Sequence, residues 1–421
     1  MNIEIVTIGD ELLLGFTVDT NAAHIARALA GAGVSIVRRA TVGDDERAIA
    51  AAVGDALART GGVITTGGIG PTSDDRSKPA VAALFGRAMI LHEPTLAALR
   101  ERWKKRGLGE LPATNRNQAL VPAGATLLEN RHGSAPGIWL EDERGRWVAM
   151  LPGVPREMRG MLADALLPRL LSRASSHDTV VASRTLRSSG VPESRLADLI
   201  GAVPLPDGVQ LAYLPAWEGV DLRVTIRDVP RAVADERLAA AVAALAAPLR
   251  DVVYGHDGAD LAAIVLDALR TRAWRIAVGE SCTGGMLGMR LTAAPGSSDV
   301  MLGGVIAYDN RVKVERLGVR EATLTEHGAV STQVAREMAS GARAATGADV
   351  GVAITGIAGP GGGTSEKPVG TVCIAVDADG AIASSSAQLV GDRDEVRRRA
   401  TQAALMMVRR MLAGTSAGSA P

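Results

Sequence analysis

Apolar positions along residues 1 to 171 switch repeatedly between two periods. Ile3 to Ile8 is a continuous apolar-rich run, which suits a strand buried on both faces of a parallel sheet. Ile25, Ala28, Leu29 and Ala32 then recur at helical spacing within Ala22 to Ala32, with cap chemistry in front at Asp19-Thr20-Asn21 and Gly33 as the stop. Val34 to Val42 predicts a second strand, Glu46 to Arg59 a second helix and Val63 to Thr66 a third strand. Strands separated by helices of this length predict right-handed βαβ crossovers and a doubly wound α/β sheet. Glu110 to Pro155 reads as loop, followed by a helix from Arg156 to Leu171.

Polar Ser172 to Asp178 reads as a linker, and the pattern changes beyond it. Residues 179–254 predict a small α+β spacer of βαββα form: strand Val180 to Arg187, helix Glu193 to Ile200, strands Val209 to Leu214 and Val220 to Ile226, and an alanine-rich helix Arg231 to Leu249. Gly255 to Gly258 marks another joint. From 258 to 413 βα alternation returns, predicting a second α/β domain. Leu261, Ile264, Val265, Ala268 and Leu269 line one helix face; Trp274 to Val278, Gly304 to Ala307, Val350 to Ile354, Val369 to Val376 and Ala381 to Leu389 read as strands. Helices are expected at Gly284 to Thr292, Thr332 to Ala345 and Glu395 to Leu412, and Gly414 to Pro421 reads as a small-residue tail.

Composition narrows the function. Of the 421 residues 47% are hydrophobic and 22% charged, an ordinary globular balance, and 46 basic residues offset 46 acidic ones. With no net charge and only 2% aromatics, a nucleic-acid partner is not expected, because both the basic field and the stacking surfaces are scarce. Cys282 and Cys373 alone make neither a disulfide framework nor a zinc cage. No basic leader precedes Ile3, and the longest uncharged apolar run, Leu238 to Leu249, falls well short of the ~20 residues of a bilayer span, so a cytoplasmic protein is expected. Only five of the 46 basic residues are lysines, Lys78, Lys104, Lys105, Lys313 and Lys367, which draws attention to each.

Two stretches carry candidate chemistry in the N-terminal part. Thr65-Thr66-Gly67-Gly68-Ile69-Gly70-Pro71-Thr72-Ser73-Asp74-Asp75 sits where a strand hands over to a helix, a position whose small residues and free amides favour a phosphate. Gly9-Asp10-Glu11 leaves the first strand at the same expected edge of the sheet, and carboxylates beside a phosphate cradle suggest a hard divalent cation. The competing reading is a tight glycine turn with aspartates capping a helix. Gly9 to Gly15, Asp19-Thr20-Asn21, Thr66 to Asp75 and Leu151-Pro152-Gly153-Val154-Pro155-Arg156-Glu157-Met158 together resemble the molybdopterin-binding-like domain of the CinA (competence/damage-inducible) family. The resemblance implies metal-dependent hydrolysis of ADP-ribose. It places Gly67, Gly68, Gly70 and Thr72 on the pyrophosphate, gives Glu11, Asp74 and Asp75 to a divalent metal (Mg, Mn or Co), adds an acid-base role for Asp74, and completes the rim with Gly153 and Glu157.

In the C-terminal part Glu280-Ser281-Cys282-Thr283-Gly284-Gly285 follows a strand and precedes a helix, another anion-binding turn. Cys282 has no obvious histidine partner and reads as a small hydrophobe; Cys373 reads as core. Pro295-Gly296-Ser297-Ser298, Tyr308 and Lys313 supply a hydroxyl nucleophile, a phenol and a non-histidine base, while a solvated surface lysine is the plainer reading of Lys313. Thr355 to Gly363 carries five glycines, consistent with backbone lining a ligand, and Gly391-Asp392-Arg393-Asp394 opens the last helix, with Arg397, Arg398 and Arg399 read as a solvated face. In order, these segments resemble the nicotinamide-nucleotide amidohydrolase domain found at the C-terminus of CinA proteins. That implies deamidation of nicotinamide mononucleotide to nicotinate mononucleotide and ammonia, with no cofactor. Ser298 is preferred as nucleophile, because the strand after it ends at Tyr308 and Lys313 lies about one helical turn further on; Ser281 is the alternative. Thr355 would help hold the nicotinamide and Arg393 the phosphate, with Thr283 and Gly284 as further substrate-binding residues.

The resemblance as a whole implies a bifunctional hydrolase of NAD by-products that acts on small nucleotides and forms a homodimer. The rival from another class is a non-catalytic competence or recombination adaptor that keeps a nucleotide or pterin pocket.

Overall fold

The structure is a computed structural model of the whole chain, in which residues 1–174 and 179–414 are described. The expected linker at Ser172 to Asp178 and the tail from Gly414 therefore fall largely outside the described residues. Residues 1–183 with 226–236 form one compact unit; residues 184–225 with those from 237 onward form the other.

In the first unit the continuous apolar run becomes β1 (Asn2–Ile8), buried except at its first residue. The helix Thr20–Gly31 is capped by Asp19, whose carboxylate accepts from Ala22 N, and buries Ile25 and Leu29 as its spacing predicts. β2 (Ser35–Val42), the helix Glu46–Thr60 and β3 (Gly62–Thr66) follow. A short excursion contributes β4 (Met89–Leu91) and β5 (Leu120–Pro122), which pair with each other. Then come β6 (Thr126–Leu128), β7 (Gly137–Glu141) and β8 (Trp147–Leu151). The main sheet runs β2-β1-β3-β8-β7-β6; its first four strands are parallel and β7 and β6 are antiparallel additions.

The stretch Glu110 to Pro155, expected to be loop, thus supplies a central strand. β8 is buried along its whole length and β7 except at its last residue, so neither shows a polar–apolar alternation, and the turn that joins them is closed by side chains. Asp142 Oδ1 accepts from Arg144 N and Arg146 N, and Trp139 stacks on Trp147 with ring centroids 4.5 Å apart.

The small module comprises β9 (Thr179–Ser188), the helix Glu193–Ile200, β10 (Gln210–Ala216), β11 (Gly219–Pro230), the helix Arg231–Ala246 and β12 (Val253–His256), with sheet order β10-β11-β9-β12. The βαββα pattern is present and β12 extends it; the alanine-rich helix ends at Ala246, two residues before Pro248.

In the C-terminal segment the helix Leu261–Thr271 leads to β13 (Ile276–Glu280), the short helix Met286–Thr292 and β14 (Met301–Ile306). The helices Asn310–Leu317, Glu321–His327 and Thr332–Thr346 precede β15 (Val350–Gly356). β16 (Thr371–Ala378), β17 (Ala381–Gln388) and the helix Arg393–Leu412 complete it. The sheet order is β14-β13-β15-β16-β17, parallel across β14, β13 and β15 and antiparallel beyond. The architecture is mixed α/β. Among the described residues no helix is long and apolar enough to cross a membrane.

Candidate active sites

Parallel strands deliver their carboxyl ends to one edge, and both candidate sites lie at such an edge. In the first unit Gly9 to Glu11 leave β1, Gly43-Asp44 leave β2, Gly67 to Asp75 leave β3 and Gly153 to Glu157 follow β8. Gly67 sits at φ +105 with its N–H donating to Leu151 O, and a Cβ there would come within 2.2 Å of the Ile8 carbonyl oxygen. Only glycine fits. Gly68, at φ +67, leaves no room for a Cβ beside Ser77 Oγ, which donates to Gly67 O at 2.8 Å.

The loop spends several of its own amides internally. Asp75 Oδ1 accepts from Gly70 N at 2.6 Å, and Oδ2 accepts from Thr72 N at 2.8 Å and Thr72 Oγ1 at 2.6 Å. Two expectations are corrected by this. Asp75 is the internal staple of the loop rather than an open metal ligand, and the N–H groups of Gly67, Gly70 and Thr72 are already bonded, which leaves Gly68 N–H without an intrachain acceptor among the described residues. Glu157 accepts from Asn130 Nδ2 at 2.6 Å, and Gly153 O from Asn21 Nδ2 at 2.7 Å, so both brace the rim.

Glu11 and Asp74 are exposed at this edge. Asp44, which joins them from the end of β2, exchanges hydrogen bonds with Asp10: Asp10 N donates to Asp44 Oδ2 at 3.0 Å and Asp44 N to Asp10 Oδ1 at 3.3 Å. Burial, reinforced by the charges of Asp10, Glu11 and Asp74, pushes the Asp44 carboxyl above its usual range, whereas Thr72 holds Asp74 below it. Hard oxygen donors crowded to this degree have the chemistry of a divalent-cation site. Among the described residues, however, no three His, Cys, Asp or Glu side chains converge as a cage. Glu11 and Asp74, exposed at this edge, are the side chains that could hold a cation. Sequence reasoning passes over Asp44, although Gly43-Asp44 repeats the strand-end pattern of Gly9-Asp10. Lys78, singled out in the sequence only as one of five lysines, is buried at the start of the helix Ser77–Leu84, donates to Asn117 O and is pushed down by burial to about 8.

In the C-terminal segment Ser281 follows β13, Ala307-Tyr308 follow β14 and Thr355-Gly356 end β15. Ser281, Tyr308 and Thr355 border a cavity of about 280 Å³ together with Lys313, Arg393 and the glycine-rich segment after β15. Lys313 is 1% exposed. Its Nζ donates to Ala307 O at 2.8 Å and Tyr308 O at 3.2 Å, and it forms no ion pair among the described residues. Burial lowers its pKa. The reading of Lys313 as a solvated surface residue is therefore corrected. Ser281 is buried, its N–H donates to Ile354 O at 2.9 Å, and its Oγ has no protein partner among the described residues.

Ser298 is placed elsewhere. It lies exposed in the turn before β14, whereas Tyr308 and Lys313 lie beyond the other end of that strand. Six strand residues span roughly 20 Å. The structure therefore separates Ser298 from Lys313 and brings Ser281 to the cavity instead.

The remaining residues divide by what they bond. Arg393 reaches across to Tyr308 Oη at 3.0 Å and Gly359 O at 2.6 Å. Thr355 Oγ1 donates to Ala329 O at 2.8 Å. Thr283 is fully buried and is not among the residues bordering the cavity; its hydroxyl has no partner among the described residues, while its carbonyl accepts from Arg397 at 2.9 Å, and Gly284 takes the left-handed turn at φ +59. Arg397 is thus no solvated charge. Glu280, 1% exposed, accepts from the amides of Gly285, Leu287 and Gly288, tying the serine-bearing turn to the start of the helix Met286–Thr292. Burial pushes the Cys282 thiol up to about 12, so it stays protonated, as expected of a small hydrophobe.

Three family models match the chain in succession: Probable molybdopterin binding domain over residues 4–172, Damage-inducible protein CinA KH domain over 183–255 and CinA C-terminal domain over 258–412. A CinA-like protein of Gemmatimonas aurantiaca is 57% identical over 98% of this chain and 97% of its own length. A CinA-like protein of Chlorobaculum tepidum is 42% identical over 95% and 96%. Among solved structures, the competence/damage inducible protein CihA from Agrobacterium tumefaciens shares 40% identity over 36% of this chain and 93% of that one, with a TM-score of 0.36.

Proposed function

The chain belongs to the CinA family, and from that premise we propose that it hydrolyses two breakdown products of NAD, nicotinamide mononucleotide at the C-terminal site and ADP-ribose at the N-terminal one. The observation that carries the amidase reading is a buried Lys313, without an ion pair among the described residues, bordering the same cavity as Ser281. An amide is a poor electrophile with a poor leaving group, so its hydrolysis needs an activated nucleophile and a proton for the departing nitrogen. Desolvation favours the neutral amine of Lys313, the form able to take the Ser281 Oγ proton as Oγ attacks the carboxamide carbon. Collapse of the adduct breaks the C–N bond while the Lys313 ammonium returns its proton to nitrogen. Ammonia leaves and a nicotinate ester remains on Ser281. Water, deprotonated by Lys313, then cleaves that ester, releasing nicotinate mononucleotide and restoring the serine. Arg393 and Tyr308, joined by their hydrogen bond, suit the phosphate end.

At the N-terminal site the reading sets the ADP-ribose pyrophosphate against the Gly68 amide. Glu11 and Asp74 would hold a divalent cation (Mg, Mn or Co), and hydrolysis of the pyrophosphate by water would give AMP and ribose 5-phosphate. The metal supplies charge neutralisation at the phosphate oxygens; Asp75 keeps the loop in shape to receive them. A homodimer belongs to the same proposal.

Ammonia release from nicotinamide mononucleotide by the purified chain tests the amidase. Ser281→Ala is expected to lower kcat by ~10³-fold or more, and Ser298→Ala to leave it near normal. A dead Ser298→Ala beside an active Ser281→Ala would reverse the assignment.

A further inference from the structure

The turn between β10 and β11 carries Trp217 and Glu218, two residues that neither proposed reaction uses. It is held in shape by Gly219 at φ +150, where a Cβ would lie 2.1 Å from Ser188 O, and by Ser188 Oγ donating to Val220 O at 2.6 Å. From this rigid turn Glu218 bonds Arg290 on the helix Met286–Thr292, Oε1 to Nη1 at 2.9 Å, and it also pairs with Arg187. Arg290 is fixed from its other side by Asp260 at 2.9 Å. The Trp217 ring meets two guanidiniums, those of Arg290 and Arg398, at 5.5 and 5.4 Å from its centroid.

One of those arginines sits on the helix that follows the Ser281-bearing turn, the other on the helix whose first residue, Arg393, borders the proposed amidase cavity. Arg290 belongs to the helix whose first amides, together with the Ser281-to-Gly285 turn, are gathered by the buried Glu280 carboxylate. Arg398 follows Arg397, which grips the Thr283 carbonyl, and lies on the helix that begins with Arg393 at the cavity. A shift of either helix is therefore passed to the serine-bearing turn through bonds already identified. Arg290 and Glu218 are both largely buried, so their pairing is less screened than a surface ion pair.

We infer that Trp217 and Glu218 are positioning residues of the amidase site, a buttress by which the small module fixes the turn that carries Ser281. The inference deepens the amidase reading and depends on it for its kinetic readout alone.

The test uses the full chain with Glu218→Gln, Trp217→Ala and, as control, Arg187→Gln. The control removes the other Glu218 partner, and with it Arg187's bonds to Asp221 and Ala259 O, while leaving the Glu218–Arg290 contact in place. Amide hydrogen exchange is followed at Gly285, Leu287 and Gly288, and ammonia release from nicotinamide mononucleotide is measured alongside. Expected are faster exchange at those amides and a kcat loss of about 10- to 100-fold in the first two variants, with Glu218→Asp restoring part of it and Arg187→Gln near wild type. Unchanged exchange and kcat in Glu218→Gln and Trp217→Ala would overturn the inference. So would losses of equal size in Arg187→Gln that follow melting temperature. If the wild-type chain releases no ammonia, the amidase reading fails by itself, and the exchange rates alone decide whether the buttress exists.

Discussion

Lys313 donates to the carbonyls of Ala307 and Tyr308 in place of a carboxylate, and a charge so placed is opposed by burial. The consequence is directional. With its folded-state pKa below the ordinary 10.5, the folded protein releases this proton at a lower pH than the unfolded chain. Between the two values the unfolded chain holds more protons, so stability rises with pH there. The melting temperature of the C-terminal unit is expected to rise across the window just below pH 10.5, relative to Lys313→Met, which lacks the group. The kcat of the wild-type chain should climb with pH over the same proton loss, because the base must be neutral. A kcat independent of pH up to 10.5 would exclude Lys313 as the base. At this scale the residue types were legible before any coordinates: Lys313, Tyr308, Thr355 and Arg393 all border one cavity. Ser298 lies apart from them because the ten residues to Tyr308, short in sequence, contain a whole extended strand.

At the scale of the element, both sites arise because parallel strands end together and glycine turns follow them. The loop after β3 tolerates no side chain at Gly67, where Ile8 O blocks a Cβ and φ is positive. Gly67→Ala is expected to distort the loop and to lower ADP-ribose turnover by 100-fold or more while the C-terminal site keeps its kcat. Excess chelator should stop ADP-ribose hydrolysis, added Mg, Mn or Co should restore it, and Asp74→Ala should largely abolish it. Full turnover in chelator would remove the metal from the proposal. The position of the glycine loop was readable, because a glycine run directly after an apolar run marks the turn that leaves a strand. The role of Asp75 was not, because a carboxylate that staples its own loop and one that meets a cation look alike until hydrogen-bond partners are known.

For the whole molecule, the grouping of residues 184–225 with the C-terminal segment has a measurable result. A fragment of residues 258–421 retains the core built from the helix Leu261–Thr271, β13, β15, β16 and the helix Arg393–Leu412, so it is expected to fold. It lacks Glu218 and Trp217, leaving Arg290 with Asp260 alone, so its kcat for nicotinamide mononucleotide should fall about 10-fold or more below that of the full chain, with no response to chelator. Equal kcat in fragment and full chain would show that the module contributes nothing to the site.

The sequence by itself determined the order of α/β, small α+β and α/β segments, the glycine turns at strand ends and the family, because periodicity, turn chemistry and motif order are local properties of the chain. Only the tertiary structure decided which serine accompanies Lys313, that β7 and β8 join the sheet, that Asp44 joins Asp10, Glu11 and Asp74, and that Glu218 holds Arg290. Each of these is a contact between segments far apart in sequence. Such contacts form by the pairing of strands and the burial of side chains against distant partners, and no window along the chain contains both members of the pair.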